Sequence, residues 1–79
     1  MQTYKASNWG IDTLQACRDV LKAKSEGADI IIHDGEFSVT NESHLSTISR
    51  ACVDSGIEVV IRGVHDPEIV YPHITFIEE

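Results

Sequence analysis

Two segments of the chain end an apolar run with the pair His-Asp and then carry a Glu two residues later. They are "ADIIIHDGE" (28–36) and "IRGVHDPE" (61–68). Imidazole nitrogens and carboxylate oxygens are ligands for Zn²⁺ and other divalent metals. In open parallel sheets, ligand sites lie beyond the carboxyl ends of the strands. The candidate metal ligands are therefore His33, Asp34, His65 and Asp66.

Ordinary turn chemistry is the competing interpretation of the same residues. An Asp that follows a strand can close a turn through its side chain, and Asp34-Gly35 is a typical turn pair. Adjacent residues of a regular strand also point to opposite faces, so at most one member of each pair can join a single site. We therefore predict two strand ends that meet turns, with a small metal- or ligand-binding domain as the alternative.

Other residue types capable of chemistry lie in patterns that favour structural roles. Cys17 and Cys52 fall on apolar helical stripes, where a thiol behaves as a small hydrophobic group. The chain has no Cys-x-x-Cys, no G-x-S-x-G, no P-loop and no G-x-G-x-x-G. These patterns indicate a protein without catalysis and without a bound cofactor.

Hydrophobic patterning predicts one α/β domain over residues 1–79, with elements in the order β-α-β-α-β-β. Strands are predicted in "MQTYKA", "ADIIIHD", "IEVVIRGV" and "HITFIEE". Helical connectors between strands imply a mostly parallel sheet of three or four strands with right-handed crossovers. The last strand follows a short loop, and we expect it to run antiparallel at the edge. Ile74 and Phe76 should lie on one of its sides, with Thr75 and Ile77 on the other.

The two helices are predicted in "SNWGIDTLQACRDVLKAKSEG" and "ESHLSTISRACVDSG". Ser7, Asn8 or Asp12 is expected to cap the first helix, and Thr40 or Asn41 the second. Gly27 and Gly56 are expected to end them. The predicted buried stripe of the first helix consists of Ile11, Leu14, Cys17, Val20 and Leu21, and that of the second of Leu45, Ile48 and Cys52.

The central strands lack alternation, which is typical of strands that are covered on both faces. Two helices are too few to cover both faces of the sheet. A domain of 79 residues also buries only about 60% of the surface of its unfolded chain. We therefore expect self-association, or a partner protein, on the uncovered side.

The charge balance restricts the class of partner. The chain carries 13 Asp and Glu against 6 Lys and Arg, a formal net charge of −7. Binding to nucleic acid is not expected, because phosphate contacts need Lys and Arg. No apolar run approaches the roughly 20 residues of a membrane span. The N-terminus has no signal-peptide pattern, so we expect a cytoplasmic protein with reduced thiols.

Residues 11 to 66 resemble STAS domains, the fold of anti-sigma-factor antagonists. The resemblance lies in a helix, the segment "ADIIIHDGEF", the polar turn "SVTNES", a helix that ends in "ACVDSG", and the strand "IEVVIRGV". It implies a regulatory Ser or Thr near a helix N-terminus, where Thr40 and Ser43 are the nearby hydroxyls. The Asp-Ser-Ser-Gly pattern of that family is not present.

The function predicted from the sequence is a non-catalytic protein–protein interaction or regulatory module, acting with a protein partner or as a homodimer. An inhibitor from a mobile element or phage that binds a basic partner surface is a further alternative. The candidate contact residues are Trp9, Glu36, Thr40, Asn41, Glu42, Ser43 and His44. For Trp9 a hydrophobic staple at the start of the first helix is the favoured interpretation, and the partner contact is the alternative.

Overall fold

A computed structural model of the protein describes residues 2–78 and shows a four-stranded sheet with two helices. Met1 of the predicted first strand and Glu79 of the predicted last strand lie outside the described residues. The element order matches the prediction: β1 (Thr3–Ser7), α1 (Thr13–Ser25), β2 (Ile30–Asp34), α2 (Glu42–Ser55), β3 (Glu58–Arg62) and β4 (Ile74–Ile77).

All four strands are parallel and lie in the order β1-β2-β3-β4. The prediction of an antiparallel last strand was therefore wrong. The connection 63–73 is long enough to return the chain to the opposite end of the sheet, so β4 starts beside the start of β3. Ser49 of α2 donates a hydrogen bond to the carbonyl of Pro72 and so holds this connection beside the helix. Val64 and Tyr71 of the connection pack against the core.

Successive crossovers in the same direction place both helices on one face of the sheet when they have the usual right hand. The core between helices and sheet is formed mainly by β-branched residues of the strands, such as Ile31, Val59 and Ile61, and by small or apolar residues of the helices. From α2 these are Leu45, Ile48 and Cys52, as the sequence predicts. The N-cap of α2 is Asn41, and Gly56 ends it in the left-handed conformation.

Helix α1 presents a different stripe to the core than its sequence predicts. The buried residues are Ala16, Val20 and Ala23, while Leu14 and Leu21 are 62% and 63% exposed. Two hydrogen bonds from outside the helix to the carboxylate of Asp19 fix its rotation. They come from the indole Nε1 of Trp9 (2.6 Å) and the hydroxyl of Tyr4 (3.2 Å), while the amide of Gln15 donates to the same carboxylate from within the helix (3.3 Å). The helix begins after Asp12, whose side chain accepts the N–H of Gln15.

Candidate functional site

The strand register divides the sheet into two faces. One lies under the helices and is here called the covered face; it consists of Tyr4, Ala6, Ile31, His33, Val59, Ile61, Ile74 and Phe76. The other is called the open face, because neither helix covers it. It consists of Thr3, Lys5, Ser7, Ile30, Ile32, Asp34, Glu58, Val60, Arg62, Thr75 and Ile77.

The open face has an apolar centre. Ile32 and Val60 lie side by side on the two central strands, and Ile30 is on the row before them. All three are half-buried by their neighbours within the sheet, and Ile77 at the edge is 40% exposed. Hydroxyl and charged side chains surround this centre. An apolar centre within a polar rim is the usual anatomy of a protein–protein interface.

The charges of the open face balance one another. Lys5 and Arg62 are its cations, and Asp34 and Glu58 are its anions. Arg62 and Asp34 approach to 3.7 Å at the carboxyl end of the central strands, and Glu58 lies 3.3 Å from the Nδ1 of His73 at the other end. The formal net charge of −7 therefore belongs to other parts of the surface.

Beneath the carboxyl end of the covered face lies a cluster of aromatic rings around two buried histidines. His33 packs against Trp9 with 4.7 Å between ring centroids, and Phe37 lies 5.4 Å from His33 and 5.3 Å from His44. Burial lowers the pKa of both histidines, although the carboxylates of Asp34 and Asp19 act in the opposite sense on His33, and the Gly10 carbonyl and Asp12 on His44. Both rings are therefore neutral at neutral pH.

The hydrogen bonds of these two rings are incomplete. The Nε2 of His33 accepts the backbone N–H of Trp9 (3.1 Å), which leaves the proton on Nδ1. The Nδ1 of His44 pairs with the Thr13 hydroxyl at 2.6 Å. The Nδ1 of His33 and the Nε2 of His44 are buried without a hydrogen-bond partner within residues 2–78. Protonation of either histidine would therefore place an incompletely hydrogen-bonded charge in the core and lower the stability of the fold.

The loops that follow β1 and β2 close the sheet edge above this cluster. The amide of Gly10 donates to the carbonyl of Glu36 (2.8 Å), and Ser38 donates back to Gly10 (3.0 Å). The side chain of Asn8 accepts the N–H of Glu36 so close to Gly35 that a Cβ there would collide with it. Gly35 also has φ +92°, a region that favours glycine. These contacts join the two loops at the carboxyl ends of β1 and β2, and the strand order β1-β2-β3-β4 has no reversal at which a ligand crevice would form.

The two His-Asp pairs do not converge. His33 lies in the core, while Asp34 lies on the open face beside Arg62. His65 pairs with Glu78 at 2.6 Å, and Asp66 accepts the N–H of Glu68 (2.8 Å) as a turn residue does. Among residues 2–78, no group of three or more His, Cys, Asp or Glu is placed to hold a metal ion. The arrangement gives a metal site no support.

The contact residues predicted from the sequence fall into two groups. Trp9 and His44 are about 1% exposed and belong to the core, so neither can touch a partner while the domain is folded. The other five, Glu36, Thr40, Asn41, Glu42 and Ser43, are exposed. Asn41 is occupied as the N-cap of α2, where it accepts the N–H of His44 (3.1 Å). The non-alternating pattern of the strands predicted an uncovered face, but it did not identify the individual contact residues on that face.

The remaining reactive groups and cavities show no catalytic arrangement in the described part of the chain. Both cysteines are free, and burial raises the pKa of Cys52 to about 12, so this thiol stays protonated. A groove of about 330 Å³ lies between β4 and the 63–73 connection. Its polar lining consists of Asp66, which is engaged in the turn, with Glu68, Thr75 and Tyr71. No nucleophile and base are paired there.

No helix within residues 2–78 is long and apolar enough to cross a membrane. Comparisons with family models, with curated proteins and with solved structures give no match for this chain. The likeness to STAS domains therefore rests on the sequence pattern alone.

Proposed function

We propose that this protein is a non-catalytic protein–protein interaction module and that the open face is its binding surface. The observation that carries the proposal is the all-parallel sheet with both helices on one side. Parallel sheets occur almost only with both faces covered, because their strands are apolar on both sides. In this protein, whatever covers the open face has to lie outside the described residues.

The open face specifies the chemistry of its partner. Its apolar centre calls for an apolar surface, since burial stabilises by about 25 cal/mol for each Å² removed from water. Its balanced charges call for a partner without strong net charge at the contact. This differs from the basic partner expected from the overall charge of the chain. The exposed acidic residues Glu36 and Glu42 lie on loop and helix-start positions, outside the open face.

A regulatory role is the second part of the proposal. Ser43 and Thr40 are exposed near the N-terminus of α2, where the helix dipole favours a negative charge such as a phosphate. Phosphorylation there would add charge to a surface separate from the open face. A cytoplasmic setting with reduced thiols and a STAS-like role belong to the same proposal.

A photo-crosslinking amino acid placed at position 60 tests the binding surface in the source cell. The control is the same amino acid at position 47, because Thr47 is exposed on α2, away from the sheet. We expect a discrete protein adduct from position 60 that is absent from position 47 and is lost when Ile32→Lys is added. Equal labelling from both positions, or no adduct from position 60, would contradict the proposal.

A further inference from the structure

We propose that the partner on the open face is a second copy of this chain, packed face to face about a two-fold axis that runs along the strands between β2 and β3. This inference rests on the proposed function and names the occupant of the same surface. The charge pattern of the open face, its register and its size favour this occupant.

The open face is electrically neutral, although the chain as a whole is acidic. Two copies that each carry −7 repel one another at most orientations. The open face carries Lys5, Arg62, Asp34 and Glu58 and has no net charge, so it offers an approach without that repulsion. At physiological salt, charges more than about 8 Å away are largely screened. A strongly basic partner would gain nothing from this face, whereas an identical neutral face is matched to it.

The strand register then selects the symmetry. A two-fold axis along the strands places β2 over β3 of the second copy and keeps each row of residues at its own level. Ile32 then faces Val60 of the second copy, and Asp34 faces its Arg62. Lys5 faces Thr75 of the second copy. In this arrangement Ile32 and Val60 of the two copies meet at the centre, and no charge faces a like charge. Glu58 faces Ile30 of the second copy at the amino end of the strands.

A two-fold axis across the strands also brings the open faces together. When it passes through the row of Ile32 and Val60, it places each strand over its own copy in the reverse direction, so that Lys5 faces Lys5. Like charges held opposite each other destabilise an interface. Packed sheets usually cross at about 30°, so rows near the axis stay opposed while the corners diverge. The Asp34 and Arg62 row lies on the two strands beside the axis, which makes it the most informative contact.

The size of the face indicates a dimer that dissociates on dilution. Four strands spaced about 4.8 Å apart and five residues long cover roughly 19 by 17 Å. Two such faces have a combined footprint of about 650 Å², which is the size of a weak, transient contact. The whole chain measures 29 × 24 × 19 Å.

A charge-swap experiment tests the arrangement. Asp34→Arg and Arg62→Asp are prepared as separate purified proteins, and their masses are measured by sedimentation equilibrium alone and mixed in equal amounts. Wild type should show twice the chain mass, and each variant alone should be a monomer because like charges then face each other. The mixture should recover the dimer, since the arginine introduced in one variant faces the aspartate introduced in the other. Both positions are exposed, so each variant should remain folded, as circular dichroism melts will verify.

Each alternative result has its own meaning. Variants that dimerise alone like wild type, or a mixture that stays monomeric while wild type dimerises, would overturn the axis along the strands. A wild-type chain that stays monomeric at every concentration would overturn the second-copy inference. In that case an adduct between position 60 and a different protein keeps the proposed function, whereas the absence of any adduct removes both.

Discussion

The two faces of this sheet are made from alternate residues of the same strands, and they meet very different surroundings. On the covered face, Ile31 and Val59 are fully buried against the helices. One residue further along, Ile32 and Val60 have the same kind of side chain but lie on the open face with only their sheet neighbours around them. The open face therefore has an apolar centre that neither helix covers, within a rim of polar side chains.

The two faces also differ in the surroundings of their polar side chains. The covered face contains His33, neutral and incompletely hydrogen-bonded. At the same end of the sheet, the open face contains the ion pair of Asp34 and Arg62 in contact with water. A partner on the open face must accommodate paired charges, while the core must exclude charge. Protonation of the core histidines should therefore change stability, whereas the charges of the open face already lie in contact with water.

The largest expected effect comes from one substitution made on each face. Ile31→Ala should cost about 2–5 kcal/mol of unfolding free energy, because it empties a fully buried site. Ile32→Ala should cost about 1 kcal/mol at a dilution where the chain is monomeric. Urea unfolding measures both. If Ile31→Ala does not fold, Ile31→Val and Ile32→Val are compared instead, with an expected loss of unfolding free energy of about 0.5–1.5 kcal/mol or less. Equal losses at the two positions would show that the open face is packed within the monomer.

The second prediction concerns acid. Burial lowers the folded-state pKa of His33 and His44, while the unfolded chain binds their protons near pH 6.5. Below that pH the unfolded chain takes up protons that the folded chain refuses. The unfolding free energy should therefore fall by about 1.4 kcal/mol per pH unit for each histidine, until the folded-state pKa values are reached.

Urea unfolding between pH 7.5 and pH 5 measures this slope. His33→Gln should remove about half of it, because glutamine can accept the Trp9 N–H without titrating. His65→Gln is the control, since this exposed histidine pairs with Glu78 outside the core. A slope that is unchanged in His33→Gln would mean that His33 is not a source of the acid sensitivity.

The smallest effect on stability should distinguish two ion pairs of equal length. Arg62 and Asp34 lie 3.7 Å apart on the open face, and Arg50 and Asp54 lie 3.7 Å apart on α2. Exposed pairs are worth about 1 kcal/mol or less and weaken in salt. Arg62→Ala and Arg50→Ala should therefore change the unfolding free energy of dilute protein by similar small amounts.

Self-association should separate these two variants. Arg62→Ala should raise the dimer dissociation constant several-fold, and Arg50→Ala should leave it unchanged, as sedimentation velocity over a concentration series will show. An equal change in both variants would place the contact elsewhere on the molecule.

Local patterns in the sequence were sufficient for the element order and the faces of the last strand, and the observed caps Asp12 and Asn41 are among the alternatives that they offered. Two predictions failed because distant contacts decided them. Hydrogen bonds from Trp9 and Tyr4 to Asp19 rotate α1 and leave Leu14 and Leu21 exposed. The attachment of Pro72 to Ser49 carries the last connection past α2, so β4 runs parallel.

The predicted contact residues show a similar division. The polar loop from Glu36 to Ser43 was recognisable as exposed from its composition, and its side chains largely are. Trp9 and His44 were among the candidate contact residues, but the aromatic cluster with Phe37 encloses them. That cluster brings together residues of β2 and α2 with residues of the loops that follow β1 and β2. Its formation depends on the parallel register, which single-residue propensities do not encode.

The central claim is that a second copy of the chain closes the open face, and one measurement tests it most directly. Sedimentation equilibrium over a range of concentrations should give a dimer for wild type, a monomer for Ile32→Lys, and a dimer for Leu21→Lys. Leu21 is the matched control because it is an exposed apolar residue on the outer side of α1. A wild-type monomer at all concentrations, or the same mass for both lysine variants, would contradict the claim.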